Sequence, residues 1–210
     1  MIDSVAKHLD AIDGVFFDFG GVIAHSVKFA SWAVLDYCVE SGIDRAKALE
    51  EISHDRAAGD IGDISLFSSY ERIARQFGVA APPEDFARRA VALDCEGWTN
   101  FAPETISLMK ELKSLGRKIG VLSNMSREFF SGYFCGVAAP IRALLDAEVI
   151  SSQEHLAKPD PAIYALASKR IGIPPARLLF LDDIERNVIA ARRCGWRAER
   201  YVLDPDAALR

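Results

Sequence analysis

The strongest constraint on this chain is a repeated pattern. A short apolar run of β-forming residues stops abruptly on polar or turn residues, and a helical stretch follows. Val15-Phe16-Phe17-Asp18-Phe19 is closed by Gly20-Gly21, and Lys118–Leu122 by Ser123-Asn124. Glu148–Ile150 is a shorter run, and Leu178–Leu181 is closed by Asp182-Asp183. Such runs read as buried strands. Between them, Ile106, Met109 and Leu112 mark a helix that stops near Gly116, and another helix begins near Ser126. Pro161–Ile171 and Ile184–Cys194 are helical, with Gly172 and Gly195 as their stops, and Arg200–Leu203 is expected as an edge strand. Strands alternating with helices imply an α/β fold: a doubly wound, Rossmann-like parallel sheet.

One block departs from the alternation. From about Phe29 to Asp94 apolar residues recur only at helical spacing, as in Trp32, Leu35 and Val39 or Leu66, Tyr70, Ile73 and Phe77. Four helices and no strand are expected there, as an insertion after the first strand. A length of 210 residues suits one domain carrying such an insertion, since domains run to roughly 100–200 residues.

Composition narrows the function classes. The net charge of −5 argues against a dedicated nucleic-acid binder. Charge interrupts every apolar stretch within about ten residues, too soon to span a bilayer. Met1-Ile2-Asp3-Ser4 lacks the basic and apolar regions of a signal peptide, which leads us to expect a cytoplasmic protein. Cys38, Cys95, Cys135 and Cys194 are widely spaced and are expected as buried thiols in a reducing compartment.

In open α/β sheets ligands bind beyond the carboxyl ends of the strands. The residues there are Asp18, Ser123, Lys158 (in Lys158-Pro159-Asp160-Pro161), Asp182 and Asp183. Taken singly each has an ordinary reading, as a helix cap, a turn residue or a solvated lysine. Together they are more telling. Carboxylates converging at strand ends repel one another and call for a cation, and an oxygen-rich acidic set suits Mg²⁺. A serine hydroxyl and a lysine ammonium beside them would complete a phosphate cradle.

Four segments in this order resemble the motifs of the haloacid dehalogenase superfamily. They are Phe16-Phe17-Asp18-Phe19-Gly20-Gly21-Val22-Ile23, Val121-Leu122-Ser123-Asn124, Lys158-Pro159-Asp160-Pro161-Ala162-Ile163-Tyr164 and Phe180-Leu181-Asp182-Asp183-Ile184-Glu185-Arg186-Asn187. The resemblance is to subfamily I, whose type-1 helical cap is inserted after the first motif. It implies a core of residues 1–26 and 100–210 and a cap of residues 27–99. It also implies roles. Asp18 would be the nucleophile that forms an aspartyl-phosphate. Asp183 would bind Mg²⁺ with Asp18 and the Gly20 carbonyl, and Asp182 would act on the metal through water or orient Lys158. Ser123 and the backbone near Asn124 would hold phosphoryl oxygens, and Lys158 would neutralise charge.

One position departs from the family pattern. Its phosphatases usually carry a second aspartate two residues after the nucleophile, which protonates the leaving oxygen and then activates water. That position is Gly20 here. General acid–base help is typically worth about 10²–10⁴-fold, so its loss matters. Three readings follow. The first is a phosphatase acting on a small phosphorylated metabolite with a good leaving group. Bacterial glucose-1-phosphate phosphatases of the superfamily share the Asp-x-Gly pattern and a cap loop similar to Gly59-Asp60-Ile61-Gly62-Asp63, so a sugar phosphate is favoured. The second is a 2-haloacid dehalogenase, against which the paired Asp182-Asp183 argues. The third is a weakly active binding or regulatory protein, against which the intact Asp18, Ser123, Lys158 and Asp183 argue.

His25 is the one titratable side chain shortly downstream of Gly20, and its ordinary pKa suits acid–base work. If the missing acid limits turnover, Gly20→Asp should speed it on poor leaving groups. Arg56, Asp60, Tyr70 and Trp98 are candidates for substrate selection, and Arg127 for contact with a substrate anion. Asn187 is expected to tether loops near the metal. Trp32, Phe67 and Phe77 are expected to pack the helical bundle. Monomer and homodimer remain equally open.

Overall fold

Each apolar run forms a strand, and the strands lie parallel in one sheet. The structure, a computed structural model, describes residues 5–25 and 28–203, with only the backbone of residues 28–32. Strands β1 (Gly14–Phe17), β2 (Lys118–Ser123), β3 (Ala147–Ile150), β4 (Leu178–Asp182) and β5 (Arg197–Arg200) are ordered β3-β2-β1-β4-β5. Every residue of β1 and β4 is buried, because helices cover both faces of the sheet. The period of two still sorts the side chains. Val15, Phe17, Leu179 and Leu181 enter one core, with Met109 and Phe134. Phe16, Leu178 and Phe180 enter the other, with Tyr164 and Trp196.

The chain passes from β1 outward to β2 and β3, then crosses back to β4 and β5. The strand order therefore reverses beside β1, and the carboxyl ends of β1 and β4 flank the crevice where this fold class binds ligands. The edge strand lies three residues earlier than expected. Its register matches Leu179–Asp182 to Arg197–Arg200, and β4 ends at Asp182. Beyond it no backbone is left to pair with: after one bond from the Tyr201 N–H to the Asp182 carbonyl (3.0 Å), Tyr201 and Leu203 turn into the core.

The inserted block is helical, as expected: α1 (Lys28–Glu40), α2 (Arg45–Asp60), α3 (Leu66–Phe77) and α4 (Pro83–Glu96). Asp44 caps α2 by accepting from the N–H groups of Ala46 and Lys47 (both 3.1 Å), and Ser65 caps α3. The four helices share their own core, with Val34, Ile52, Tyr70, Ile73 and Phe86 at its centre. Phe67 and Phe77 pack partly buried against it, as expected, whereas the side chain of Trp32 lies outside the described residues. Beyond the block, α5 (Pro103–Ser114), α6 (Pro161–Ile171) and α7 (Glu185–Arg193) flank the sheet. The thiols differ from expectation at two positions: Cys135 is exposed and Cys194 half-buried, while Cys38 and Cys95 are buried. Among the described residues no helix is long and apolar enough to cross a membrane.

The block is fastened to the sheet domain at two places. Where the chain enters and leaves, the His25 N–H donates to the Asn100 carbonyl (2.8 Å) and the Ala102 N–H to the Ile23 carbonyl (2.8 Å). At its far end, the loop after α2 lies on the β3 end of the sheet. The Ser151 hydroxyl donates to the Asp60 carbonyl, the Arg127 guanidinium to the Gly62 carbonyl (3.0 Å), and the Ser65 hydroxyl to Glu128 (2.7 Å). Gly62 makes this docking possible. Its φ is +79°, and a Cβ there would lie 2.7 Å from the Ser152 carbonyl oxygen. Gly62→Ala should therefore destabilise the protein by more than the roughly 1–2 kcal/mol of left-handed backbone strain alone. Urea unfolding checks this, and a change under about 0.5 kcal/mol, the range of a neutral surface substitution, would refute it.

Candidate active site

The residues read from the strand ends converge on one buried ion cluster. Lys158, in the loop before α6, lies between two carboxylates, with its Nζ 2.9 Å from Asp18 Oδ1 and 2.7 Å from Asp182 Oδ2. Only 1% of the lysine side chain and none of that of Asp182 is exposed. Burial by itself would lower the lysine pKa, but the two carboxylates outweigh it and raise it above the ordinary value. The local sequence explains how the lysine arrives there. Lys158-Pro159 is a cis peptide, Asp160 caps α6 through the Ala162 N–H (2.8 Å), and Pro161 opens that helix.

Asn124 splints the same loop. Its Oδ1 accepts from the Lys158 N–H (2.8 Å) and its Nδ2 donates to the Lys158 carbonyl (3.0 Å). The Asn124 amide lines the pocket but is taken up on both sides, so its side chain is a brace for the lysine rather than a substrate ligand.

The paired aspartates separate into two kinds. Asp182 Oδ2 receives Lys158, both of its oxygens lie 3.0–3.1 Å from Asn187 Nδ2, and Oδ1 accepts from the Ile184 N–H (2.8 Å). These bonds orient Lys158, one of the two roles the resemblance implied for Asp182, and its oxygens stay within 4.8 Å of those of Asp18 and Asp183. Asn187 tethers this loop, as expected, and its own carbonyl accepts from the Tyr164 hydroxyl (3.0 Å). Asp183 is half-buried and open. It lies against Gly21, whose φ is +75° and whose missing Cβ would fall 2.6 Å from Asp183 Cγ. A glycine is needed there for both reasons.

Asp18 follows β1, and its Oδ1 is held by the Phe19 N–H (2.7 Å) and Lys158. Its Oδ2 has no hydrogen bond among the described residues. Oxygens of Asp18, Asp182 and Asp183 lie within 4.8 Å of one another. Burial raises the pKa of Asp18, and Asp182 and Asp183 raise it further against the pull of Lys158; Asp183 is raised by burial and by Asp182. Three carboxylates against one ammonium leave excess negative charge in a buried site. The carboxylate oxygens of Asp18, Asp182 and Asp183 form a donor set that fits a hard divalent cation. The Ser123 hydroxyl, at the end of β2, lines the pocket with no hydrogen-bond partner among the described residues.

Over this cluster lies a cavity of ≈ 290 Å³ walled by both the sheet domain and the helical block. Arg56 and Asp60 enter it from α2. Arg56 makes a two-pronged ion pair with Asp94 of α4 (2.8 and 2.9 Å), which fixes its guanidinium. Three of the candidate side chains do not line the cavity. Arg127 is absent from the cavity wall because its guanidinium reaches the Gly62 carbonyl. Tyr70 is buried in the helical core, and His25 is buried in the hinge; neither lines the cavity. Several wall residues lie outside the motifs and were not foreseen, Leu49, Ile52, Met125 and Phe129, and Arg186 lies within the fourth motif without an expected role. Only helical periodicity marked Ile52.

Trp98 does line the cavity, in an unforeseen way. A Cβ on Gly20 would overlap Cζ3 of the indole and lie 2.8 Å from Cη2. The ring occupies the space that a side chain at position 20 would need, so Gly20→Asp requires the indole to shift. Overpacking of this kind costs about 1–3 kcal/mol. Gly20→Ala should lose about that much stability by urea unfolding, and the loss should vanish in a Trp98→Ala background. Equal losses in both backgrounds would show that the ring is not the obstacle.

A haloacid dehalogenase-like hydrolase family model matches residues 12–195. Phosphatase MT3486 of Mycobacterium tuberculosis (strain CDC 1551 / Oshkosh) is 30% identical over 156 residues, 74% of this chain and 68% of that one. YhcW of Bacillus subtilis (strain 168) is 29% identical over 144 residues, 65% of this chain and 62% of YhcW, so the match spans less than two thirds of that relative. Among solved structures, HAD family enzyme bt-2542 of Bacteroides thetaiotaomicron, in complex with magnesium and inorganic phosphate, superposes with a TM-score of 0.70 at 19% identity. That match covers 90% of this chain and 93% of the other.

Proposed function

The chain belongs to the haloacid dehalogenase-like hydrolase family, and on that premise we propose that it is a Mg²⁺-dependent phosphatase of small cytoplasmic phosphomonoesters, sugar phosphates such as glucose 1-phosphate above all. The observation that carries this reading is the state of Asp18. Its carboxylate is steered by Lys158 and the Phe19 N–H, and it shares a cavity with the unpartnered Ser123 hydroxyl and the open Asp183. A carboxylate oxygen of Asp18 attacks phosphorus and forms an aspartyl-phosphate, which water then cleaves. Ser123 and Lys158 receive phosphoryl oxygens. Asp18, Asp183 and the Gly20 carbonyl would hold Mg²⁺, which when bound would supply charge neutralisation for the phosphoryl group. The magnesium and phosphate complex of bt-2542 and the phosphatase MT3486 support this reading.

Residues 27–99 act as a cap over a core of residues 1–26 and 100–210. Leu49, Ile52 and Trp98 give the leaving-group side an apolar wall, which suits the face of a sugar ring. A 2-haloacid dehalogenase needs no cation, and the surplus carboxylate charge around Asp183 counts against it.

Phosphate release from glucose 1-phosphate, glucose 6-phosphate, an acyl phosphate and an aryl phosphate tests the reading. Turnover should require Mg²⁺, be lost with EDTA and in Asp18→Asn, and favour the better leaving groups. Chloride release from 2-chloropropionate without Mg²⁺, and no phosphate release from any ester, would overturn it.

A further inference from the structure

Asp60 is the one carboxylate in the cavity that the proposed chemistry leaves without a task. Cleaving an ordinary phosphomonoester requires a proton for the leaving oxygen. Gly20 has none to give, and Trp98 fills the space beside it. Among the described residues, the titratable or charged groups lining the cavity are Asp18, Arg56, Asp60, Lys158, Asp183 and Arg186. Asp18 is the nucleophile, Asp183 faces the cation, and Lys158 is locked between Asp18 and Asp182. Arginines do not release protons at working pH. Asp60 remains.

Its surroundings suit acid–base work. Asp60 ends α2, and Ser151 of the sheet domain holds its main-chain carbonyl while Arg127 holds that of Gly62. A residue of the helical block is thereby placed over the sheet domain. Arg56, one turn earlier, gives both of its terminal nitrogens to Asp94, and the Asp60 carboxyl has no hydrogen bond or ion pair among the described residues. Charges reach it from three elements: Arg56 of α2, Asp94 of α4 and Lys158 of the core loop. On the core helix Ser151–Glu154 beneath the loop, Glu154 is paired with Arg170. Burial raises the Asp60 pKa most, Asp94 adds to it, and Arg56 and Lys158 oppose; the result is about 6. A catalytic acid–base group works best with a pKa near the operating pH.

We propose that Asp60, reaching in from the helical block, is the general acid and base that Gly20 lacks, an inference that rests on the phosphatase reading. In the first half-reaction an Asp18 oxygen bonds to phosphorus, the bond from phosphorus to the leaving oxygen breaks, and protonated Asp60 gives its proton to that oxygen. In the second, water attacks phosphorus and its proton passes to the Asp60 carboxylate. The bond from phosphorus to Asp18 breaks and phosphate departs. Both carboxyl groups return to their starting states.

The test compares the full chain with Asp60→Asn and Asp60→Glu on glucose 6-phosphate and p-nitrophenyl phosphate in Mg²⁺. Thermal unfolding serves to confirm that the variants are folded. Asp60→Asn should lose about 10²–10⁴-fold in kcat on glucose 6-phosphate, whose alkoxide needs a proton. On p-nitrophenyl phosphate it should show a burst of nitrophenol followed by slow turnover, because the leaving group needs no acid but hydrolysis of the aspartyl-phosphate still needs the base. The fall in wild-type kcat/KM on glucose 6-phosphate as pH rises past Asp60's pKa should disappear in Asp60→Asn and persist in Asp60→Glu. Equal losses on both substrates without a burst, or a change in KM alone, would overturn the proposal and make Asp60 a binding or structural residue. Wild-type turnover that depends on Asp18 and is matched by Asp60→Asn would overturn this inference alone. A wild type that releases no phosphate from these esters, from glucose 1-phosphate or from an acyl phosphate would remove the phosphatase reading and this inference with it.

Discussion

The buried ammonium of Lys158 is the interaction on which the rest of the site depends. A lysine with 1% of its side chain exposed has lost nearly all its hydration, and only close opposite charges make that tolerable. Asp18 and Asp182 supply them from the ends of two adjacent parallel strands, β1 and β4. Without the lysine, two carboxylates would face each other in a buried crevice. Without either carboxylate, a charged amine would be left half-compensated. The surrounding polar groups serve this ion cluster: Asn124 braces the lysine's backbone, and Asn187 and the Ile184 N–H hold Asp182. The three strand ends that carry Asp18, Asn124 and Asp182 are thus tied to one cation. Asp183 and the Asp18 Oδ2 remain unsaturated, facing the cavity.

Position 20 shows how a missing functional group reshapes its surroundings. With no side chain there, the Trp98 indole lies against the main chain two residues after Asp18. That side of the cavity is apolar. The carboxyl nearest in function then comes from the inserted helices, at Asp60. With Asp60 in the proposed role, the proton donor and Asp18 sit on separate parts of the chain, and the reaction depends on their relative placement. The hydrogen bonds from Ser151 and Arg127 to the loop after α2 are the contacts that maintain it. Gly62 lets the loop come close enough to receive them.

Much of this was legible in the sequence because it is local. An apolar run that stops on a polar residue specifies both a buried strand and the residue at its end, so Asp18, Ser123 and Asp182-Asp183 could be placed beyond the sheet before any contact was known. The four inserted helices followed from apolar spacing, and Asp44, Ser65 and Asp160 cap their helices through bonds two or three residues away. The edge strand was misplaced because its limits are set by its partner: β4 ends at Asp182, and nothing in Tyr201-Val202-Leu203 records that.

The sequence by itself determined the doubly wound α/β class, the helical insertion and the set of polar residues at the strand ends, since those follow from periodicity and short-range bonding. Tertiary structure alone decided how those residues share their work. It saturated Asp182 and left Asp183 open, turned the Asn124 amide to the lysine loop, and drew Arg127 away to Gly62. It also set Trp98 against Gly20 and Asp60 within the electrostatic reach of Lys158. Apart from the local bond of Asn187 to Asp182, such pairings join residues from 24 to 98 positions apart. Which partner a polar group finds at that separation depends on how helices and strands pack, and that packing is a property of the whole fold.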